Sequence, residues 1–127
     1  MIDSIIIPSI YGSVTLKSDL TLIEMSELIS SLFFMGCKFD GLEKKIYDEV
    51  PAVMLDGNFI GLNVILSGGG EYDFSVGIHG NYKPNNLKAE RIQLDEYLYF
   101  LFNEKLDEYQ NIEVVKPRSL EKLNEPL

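Results

Sequence analysis

The amino-acid sequence predicts an α+β domain in which an antiparallel sheet meander carries two main helices packed on one face. Three observations lead to this prediction: an amphipathic helical pattern near the N-terminus, a strict alternation in residues 71–80, and a second apolar helical stripe in residues 95–109. Several strand-like segments follow one another between the helical patterns, which favours antiparallel pairing. We expect residues 1–127 to form one domain, with a loosely held tail from about residue 117.

Residues 2–16 are predicted to be extended, because β-branched side chains dominate their first part. Pro8 is expected to end this strand, or to bend it, since proline cannot donate a ladder hydrogen bond. Val14 and Leu16 then alternate with polar residues and indicate that the strand resumes.

The first helix is the clearest element of the sequence. Thr21 and Glu24 have the spacing of a capping box, in which each side chain accepts a hydrogen bond from the other residue's backbone. Gly36 lies where a left-handed residue is expected to end the helix, and Cys37 is predicted to be a small buried residue. The apolar side chains that share one face of this helix are Met25, Leu28, Ile29, Leu32 and Phe33.

The middle of the chain predicts strands joined by tight turns. Residues 50–55 and 59–66 flank Asp56-Gly57-Asn58, a hairpin signal because Asp-Gly tolerates positive φ, and Gly61 is a possible bulge. The triple glycine of residues 68–70 is predicted to be another hairpin turn. A phosphate-binding loop would need Gly-Lys-Ser/Thr entering a helix, whereas Glu71 and a strand follow these glycines.

Residues 71–80 give the cleanest strand, because Tyr72, Phe74, Val76 and Ile78 alternate with polar or small residues. Residues 88–94 and 112–115 are predicted to be further strands. Asp95 is expected to cap the second helix. Tyr99 and Phe100 widen the apolar stripe of that helix, so we expect it to be covered on more than one side or to lie at an interface.

The composition and charge of the chain disfavour several classes of ligand and site. The chain has 11 basic and 20 acidic residues and a formal charge of −9, which disfavours nucleic acid and anionic membrane as direct ligands. One cysteine excludes an internal disulfide framework, and one histidine disfavours the common zinc sites. We therefore expect no metal and no cofactor. The N-terminus lacks a signal-peptide pattern and no apolar stretch is long enough to span a bilayer, which indicates a cytoplasmic protein.

The candidate partner-binding residues lie at turns and on the polar face of the 71–80 strand. Residues 41–80 hold six acids and two lysines, a net charge of −4. Such a cluster fits either a solvated surface or a negative patch that attracts a basic partner. His79 could act as a general base, although an exposed or edge histidine is the favoured interpretation. The residues predicted to contact a partner are Asp56, Glu71, Asp73, His79 and Tyr82.

The size, the charge of −9, the acids on strand faces and the run Leu94-Asp95-Glu96-Tyr97-Leu98 resemble the immunity proteins of bacterial toxin systems. These include the immunity proteins of contact-dependent growth inhibition. The resemblance implies a small acidic cytoplasmic protein, not an enzyme, that binds a toxin domain, often a basic nuclease, and blocks its active site or substrate surface. Two alternatives stay open: a structural or adaptor subunit that self-associates through the 95–109 helix, and an enzyme that uses His79 as its base.

Overall fold

The computed structural model describes residues 6–39, 45–47, 50–59, 61–80 and 88–120, and it confirms the α+β class. A short 3-10 turn, Arg118–Leu120, ends the described chain. The helices and strands are, in chain order, β1 (Ile6–Ser18), α1 (Leu22–Phe33), β2 (Lys45–Tyr47), β3 (Val50–Phe59), β4 (Leu62–Gly69), β5 (Tyr72–Gly80), β6 (Lys88–Gln93), α2 (Asp95–Lys105) and β7 (Ile112–Val115).

The strands form a mostly antiparallel sheet in the order β2-β3-β4-β5-β1-β6, and β7 also pairs with β1. The predicted meander is confirmed for β3, β4 and β5, which are joined by tight turns. β6 does not extend this meander. It follows β5 in the sequence, but it pairs with β1, and the two strands run parallel. The periodicity of a short strand does not specify its partner, so this non-local pairing had no signal in the sequence.

β1 runs without interruption from Ile6 to Ser18, so Pro8 does not end the strand, and the alternative expectation that the strand continues past Pro8 is confirmed. The described register pairs β5 only with Tyr11 to Leu16, whereas Pro8 lies opposite Glu90 of β6. Proline is tolerated where a strand lacks a hydrogen-bonded neighbour on one side, because its missing N–H then breaks no ladder there.

The β3–β4 turn lies later than the sequence predicts. β3 continues to Phe59, which pairs with Leu62, and Gly61 between them has a positive φ of 73°. Gly61 is therefore a turn residue rather than a bulge. The Asp56-Gly57-Asn58 segment lies instead where the register shifts between Leu55 and Phe59. Both Gly57 and Gly61 can support a tight turn, and the register that buries the correct strand face decides between them.

The predicted turn at the triple glycine is confirmed. Gly68 and Gly69 end β4, and Gly70 with Glu71 connects it to Tyr72 of β5. All three glycines have positive φ. Gly68 has a second constraint, because a Cβ atom there would collide with the backbone carbonyl of Asp73. The glycines allow a bulge and a turn to follow each other directly.

The prediction for α1 is confirmed at its N-terminus. Thr21 Oγ1 accepts from the Glu24 N–H at 3.1 Å, and Glu24 Oε1 accepts from the Thr21 N–H at 2.9 Å. Gly36 has the expected positive φ of 84°. Cys37 is exposed, however, so its predicted burial is wrong. Its backbone carbonyl accepts a hydrogen bond from the buried Ser30 hydroxyl, which ties down the chain while the thiol faces solvent.

Both helices pack on the same face of the sheet, where Phe33 of α1 stacks on Phe102 of α2 with 4.3 Å between ring centroids. Within the described part of the chain, neither helix is long and apolar enough to cross a membrane. Leu120 is 6% exposed, and residues 121–127 of the predicted tail lie outside the described residues. The core consists of Val14, Leu16, Met25, Ile29, Val53, Val64, Leu66, Phe74, Val76, Leu98, Phe102, Leu106 and Ile112.

Asp95 begins α2 but does not cap it. The N-cap position is Leu94, which makes no side-chain capping bond, and Asp95 Oδ1 accepts instead from the Ser13 N–H at 2.8 Å. This edge of β1 is paired with β6 as far as Tyr11 and with β7 from Thr15 onward. The Asp95 carboxylate therefore accepts from the Ser13 N–H, which lies between the part of β1 paired with β6 and the part paired with β7. Because the carboxylate is engaged in this bond, it does not cap α2.

Candidate functional site

The candidate site lies on the sheet face that points away from both helices. In β5, Phe74 and Val76 point into the core, so the alternating residues Asp73, Ser75 and His79 point to the other side. The pairing register places residues of β1 and β4 beside them. We call this surface the polar sheet face, and it comprises Tyr11, Ser13, Asn63, Ile65, Ser67, Asp73, Ser75, Gly77 and His79.

A shallow pocket of about 350 Å³ opens on this face. Hydroxyl groups of Ser13, Ser67 and Ser75 line it, together with the His79 ring and the Asp95 carboxylate. Small residues form the floor, and a Cβ atom at Gly77 would meet only the Ile65 carbonyl oxygen, at 3.9 Å. The surface therefore offers both hydrogen-bond donors and acceptors to a molecule that covers it.

Three side chains form a row across β1, β5 and β4. Tyr11 lies opposite His79, and His79 lies opposite Asn63. The Asn63 side-chain nitrogen and His79 Nε2 are 3.3 Å apart, and Asn63 Oδ1 is buried without a hydrogen-bond partner among the described residues. The Arg91 guanidinium lies 4.1 Å above the centre of the Tyr11 ring, a cation–π geometry.

The structure separates the sequence-predicted residues into two places. Glu71, in the turn, and Asp73, in β5, are both exposed near one end of the strand, whereas His79 is exposed near the other end. Six residues separate Asp73 from His79, which corresponds to about 20 Å along an extended strand. Asp73 therefore does not lie within hydrogen-bonding reach of His79, and the described neighbour of the imidazole is Asn63.

Asp56 and Tyr82 are the two remaining residues predicted to contact a partner. The backbone of Asp56 belongs to β3, but its side chain lies outside the described residues. Tyr82 lies outside them altogether.

Sequence reasoning missed Tyr11 and Asn63, which lie on either side of His79, and Arg91, which lies over the Tyr11 ring. Each belongs to a different strand, and only the register of β1 with β5 and β6, and of β4 with β5, brings them together. Alternation could have assigned Asn63 to the face opposite Val64, because a strand presents successive side chains to opposite faces. No local pattern could have shown that Asn63 pairs with His79.

The outer face of α2 is a second exposed surface, on the helix side of the domain. Tyr97 is 62% exposed and Phe100 is 54% exposed, while Leu98 and Phe102 of the same helix are buried. No described element covers these two rings, so the expectation of cover on more than one side is not met within that part of the chain. The other expectation, that α2 lies at an interface, stays a prediction.

The residues that the structure describes contain no group of three or more His, Cys, Asp or Glu side chains able to hold a metal ion. No model of a known protein family matches the chain, and no curated protein and no solved structure shows significant similarity to it.

Proposed function

We propose that this chain is an immunity protein that binds and neutralises a cognate basic toxin domain, with a nuclease as the expected class. It would do so by covering the toxin's active site or its substrate surface. The proposal assigns the protein a binding role without catalysis of its own.

The observation that carries the proposal is the excess of acidic side chains on the described surface. Exposed basic residues are fewer, and none lies on α1 or β5: Lys17, Lys38, Lys88, Arg91, Lys105, Lys116 and Arg118. The exposed acids are Asp19, Glu24, Glu27, Glu71, Asp73, Glu90, Glu96, Glu104, Asp107, Glu108 and Glu113.

An acidic surface of this kind supports recognition of a basic protein in two ways. It attracts the partner over distances comparable with the Debye length, and so raises the association rate in a salt-dependent manner. Charges arranged opposite a basic active site also exclude partners of the wrong sign. A nuclease suits this description because its substrate surface has to attract phosphates.

The polar sheet face supplies the remaining requirement, which is a firm surface with hydrogen-bonding groups. Its backbone is held by strand pairing on both sides of β5. Hydroxyl, amide and imidazole groups there can pair with a partner's polar atoms, and Tyr11 adds aromatic area. Glu71 and Asp73 lie at one end of this face and are the acids that we expect to face the partner.

The first test is an affinity pull-down with the tagged full chain as bait, in lysate of the source cell at low and moderate salt. We expect one basic protein to be retained at equal stoichiometry, to bind with nanomolar affinity after purification, and to lose its toxicity when this chain is co-expressed. Retention of the chain alone, or of a basic protein whose toxicity is unaffected by co-expression, would overturn the proposal.

The contribution of the sheet face is tested by charge reversal. Glu71→Lys with Asp73→Lys is expected to lower the association rate of the purified pair about tenfold and to flatten its salt dependence. The matched control, Asp19→Lys with Glu27→Lys, makes the same change in net charge at two exposed positions outside the polar sheet face. Equal effects of both variants would show that net charge alone matters and that Glu71 and Asp73 are not at the interface.

One observation favours a second candidate function, a structural or adaptor subunit that self-associates through α2. Tyr97 and Phe100 are exposed on this helix, as they are in proteins that bury such residues between subunits. This candidate predicts a mass in sedimentation that rises with concentration. A strictly monomeric chain at high concentration would exclude it.

A further inference from the structure

α2 points two of its aromatic side chains directly away from the domain core. Successive residues of a helix are rotated by about 100°, so Phe100 lies about 200° from both Leu98 and Phe102. Leu98 and Phe102 are each 2% exposed and mark the buried side. Tyr97 precedes Phe100 by three residues and is its neighbour on the helix surface. The two most exposed rings of α2 therefore form one patch on the side opposite the core.

These rings lie on a rigid support. Phe100 packs edge-on against the half-buried Tyr99, with 5.2 Å between centroids and 67° between planes. On the opposite side, Phe102 stacks on Phe33 at 4.3 Å and fixes α2 to α1. An aromatic side chain that is held before binding loses little conformational entropy on docking, so its buried area contributes efficiently to affinity.

The charged side chains of α2 beside the patch are mostly acidic, whereas Lys116 and Arg118, which follow β7, lie on the Tyr99 side of the helix. Glu104 follows Phe100 by four residues and lies on the same side of the helix, and Glu96 is exposed beside Tyr97. Residues 95–109 contain five acids (Asp95, Glu96, Glu104, Asp107 and Glu108) against Lys105, a net charge of −4. We call the surface formed by Glu96, Tyr97, Phe100 and Glu104 the aromatic–acidic face.

We infer that the aromatic–acidic face is a docking surface for a basic amphipathic helix of a partner protein. The partner's apolar side chains would cover Tyr97 and Phe100, which supply most of the binding energy, as aromatic residues do at interface centres. Its lysine or arginine side chains would lie beside Glu96 and Glu104, which select for positive charge.

Charge complementarity argues against a second copy of this chain as the occupant. A symmetric dimer uses the same patch on both subunits, so it would bring Glu96 and Glu104 of each copy towards the same acids of the other. Each copy also carries a net charge of −9. A basic helix meets attraction at every one of these positions, which makes it the better fit.

The inference rests on the proposed function only in expecting a basic protein as partner. It adds a surface on the helix side of the domain, whereas Glu71 and Asp73 lie with β5 on the sheet. Its test therefore uses a defined probe rather than the toxin, so that either idea can fail alone.

The probe is a fluorescently labelled helical peptide of leucine and lysine, with a leucine–glutamate peptide of the same pattern as its acidic counterpart. Binding to the full chain is measured by anisotropy at low and moderate salt. We expect the lysine peptide to bind and the glutamate peptide not to bind. Tyr97→Ala with Phe100→Ala should weaken binding about tenfold, and Glu96→Lys with Glu104→Lys should weaken it further.

Two control variants make this result specific. Ile23→Ala removes a 51% exposed apolar side chain from α1, and Asp19→Lys with Glu27→Lys makes the same change in net charge as Glu96→Lys with Glu104→Lys at two exposed positions outside α2. Both should leave peptide affinity within about twofold of the unaltered chain. Thermal unfolding of each variant verifies that these exposed substitutions preserve the fold.

Unchanged peptide affinity in either α2 double variant would overturn the inference. So would a dimer in sedimentation that disappears in the Tyr97→Ala, Phe100→Ala variant, since a second copy would then be the occupant. Peptide binding through α2 without neutralisation of a toxin would refute the proposed function and leave the docking surface standing. Neutralisation of a toxin, together with peptide binding that the α2 variants leave unchanged, would refute the docking surface and leave the proposed function standing.

Discussion

The two helices lie side by side on one sheet face, but they differ in how they begin and in which side chains they expose to solvent. α1 begins with a reciprocal capping box and buries Met25 and Ile29 completely. α2 begins at Leu94 without a side-chain cap and exposes Tyr97 and Phe100. A helix needed only for the core has no use for aromatic rings on its outer side. The contrast indicates that α1 mainly stabilises the domain, whereas α2 also presents a surface.

The sharpest test of this contrast compares two phenylalanines within α2. Phe102→Ala should lower the free energy of unfolding by about 3–5 kcal/mol, because the ring is 2% exposed and its removal leaves a cavity beside Phe33. Phe100→Ala should change it by less than about 0.5 kcal/mol, since that ring is 54% exposed. Urea titration followed by circular dichroism measures both values.

Similar losses for the two variants would contradict the division of α2 into a core side and a surface side. A large loss for Phe100→Ala alone would mean that the outer side also stabilises the domain.

The second prediction concerns the start of α1. Thr21→Ala should destabilise the protein by about 1 kcal/mol, because it removes the acceptor of the Glu24 N–H at the helix N-terminus. Thr21→Ser retains a hydroxyl with the same reach and serves as the control. If the alanine variant unfolds at the same urea concentration as the serine variant, the capping box does not stabilise α1.

The third prediction concerns the start of α2, where the carboxylate acts on another element. Asp95→Ala should cost about 0.5–1 kcal/mol, because the Ser13 N–H loses its acceptor at an exposed position. Glu96→Ala removes a carboxylate from the same helical turn and should cost only a few tenths of a kcal/mol through the helix dipole. Equal unfolding midpoints for the two variants would show that the bond to Ser13 is not a stabilising one.

Amide hydrogen exchange tests the bond between the Ser13 N–H and the Asp95 carboxylate directly. The Ser13 N–H should exchange faster in Asp95→Ala than in Glu96→Ala, whereas the amides of β5 should differ little between them. Unchanged protection of the Ser13 amide would place its hydrogen-bond acceptor elsewhere.

The candidate site was predictable where a signal is contained in one element. The alternation of β5 correctly assigned Asp73 and His79 to the side opposite Phe74 and Val76. The same alternation could not show which side chains lie beside each of them, because a shared strand face says nothing about the neighbouring strands. The neighbours of His79 come from other strands and depend on register.

Errors in the fold prediction have the same origin. The turn between β3 and β4 could form at Gly57 or at Gly61, and Asp95 could satisfy its own helix or the N–H of Ser13, 82 residues away. In each case the local chemistry permits both outcomes. Cys37 was misplaced for a related reason, since a hydrogen bond from Ser30 to its backbone determines which way the chain leaves α1.

By itself the sequence determined the α+β class, the capped start of α1, the alternation of β5 and the turn at the triple glycine. These features depend on backbone preferences and side-chain spacing within a few residues, which any context preserves. Only the tertiary structure decided the parallel pairing of β6 with β1, the row around His79 and the exposure of Tyr97 and Phe100. Those features depend on which distant segments meet, because burial and strand register are properties of the assembled sheet and helices.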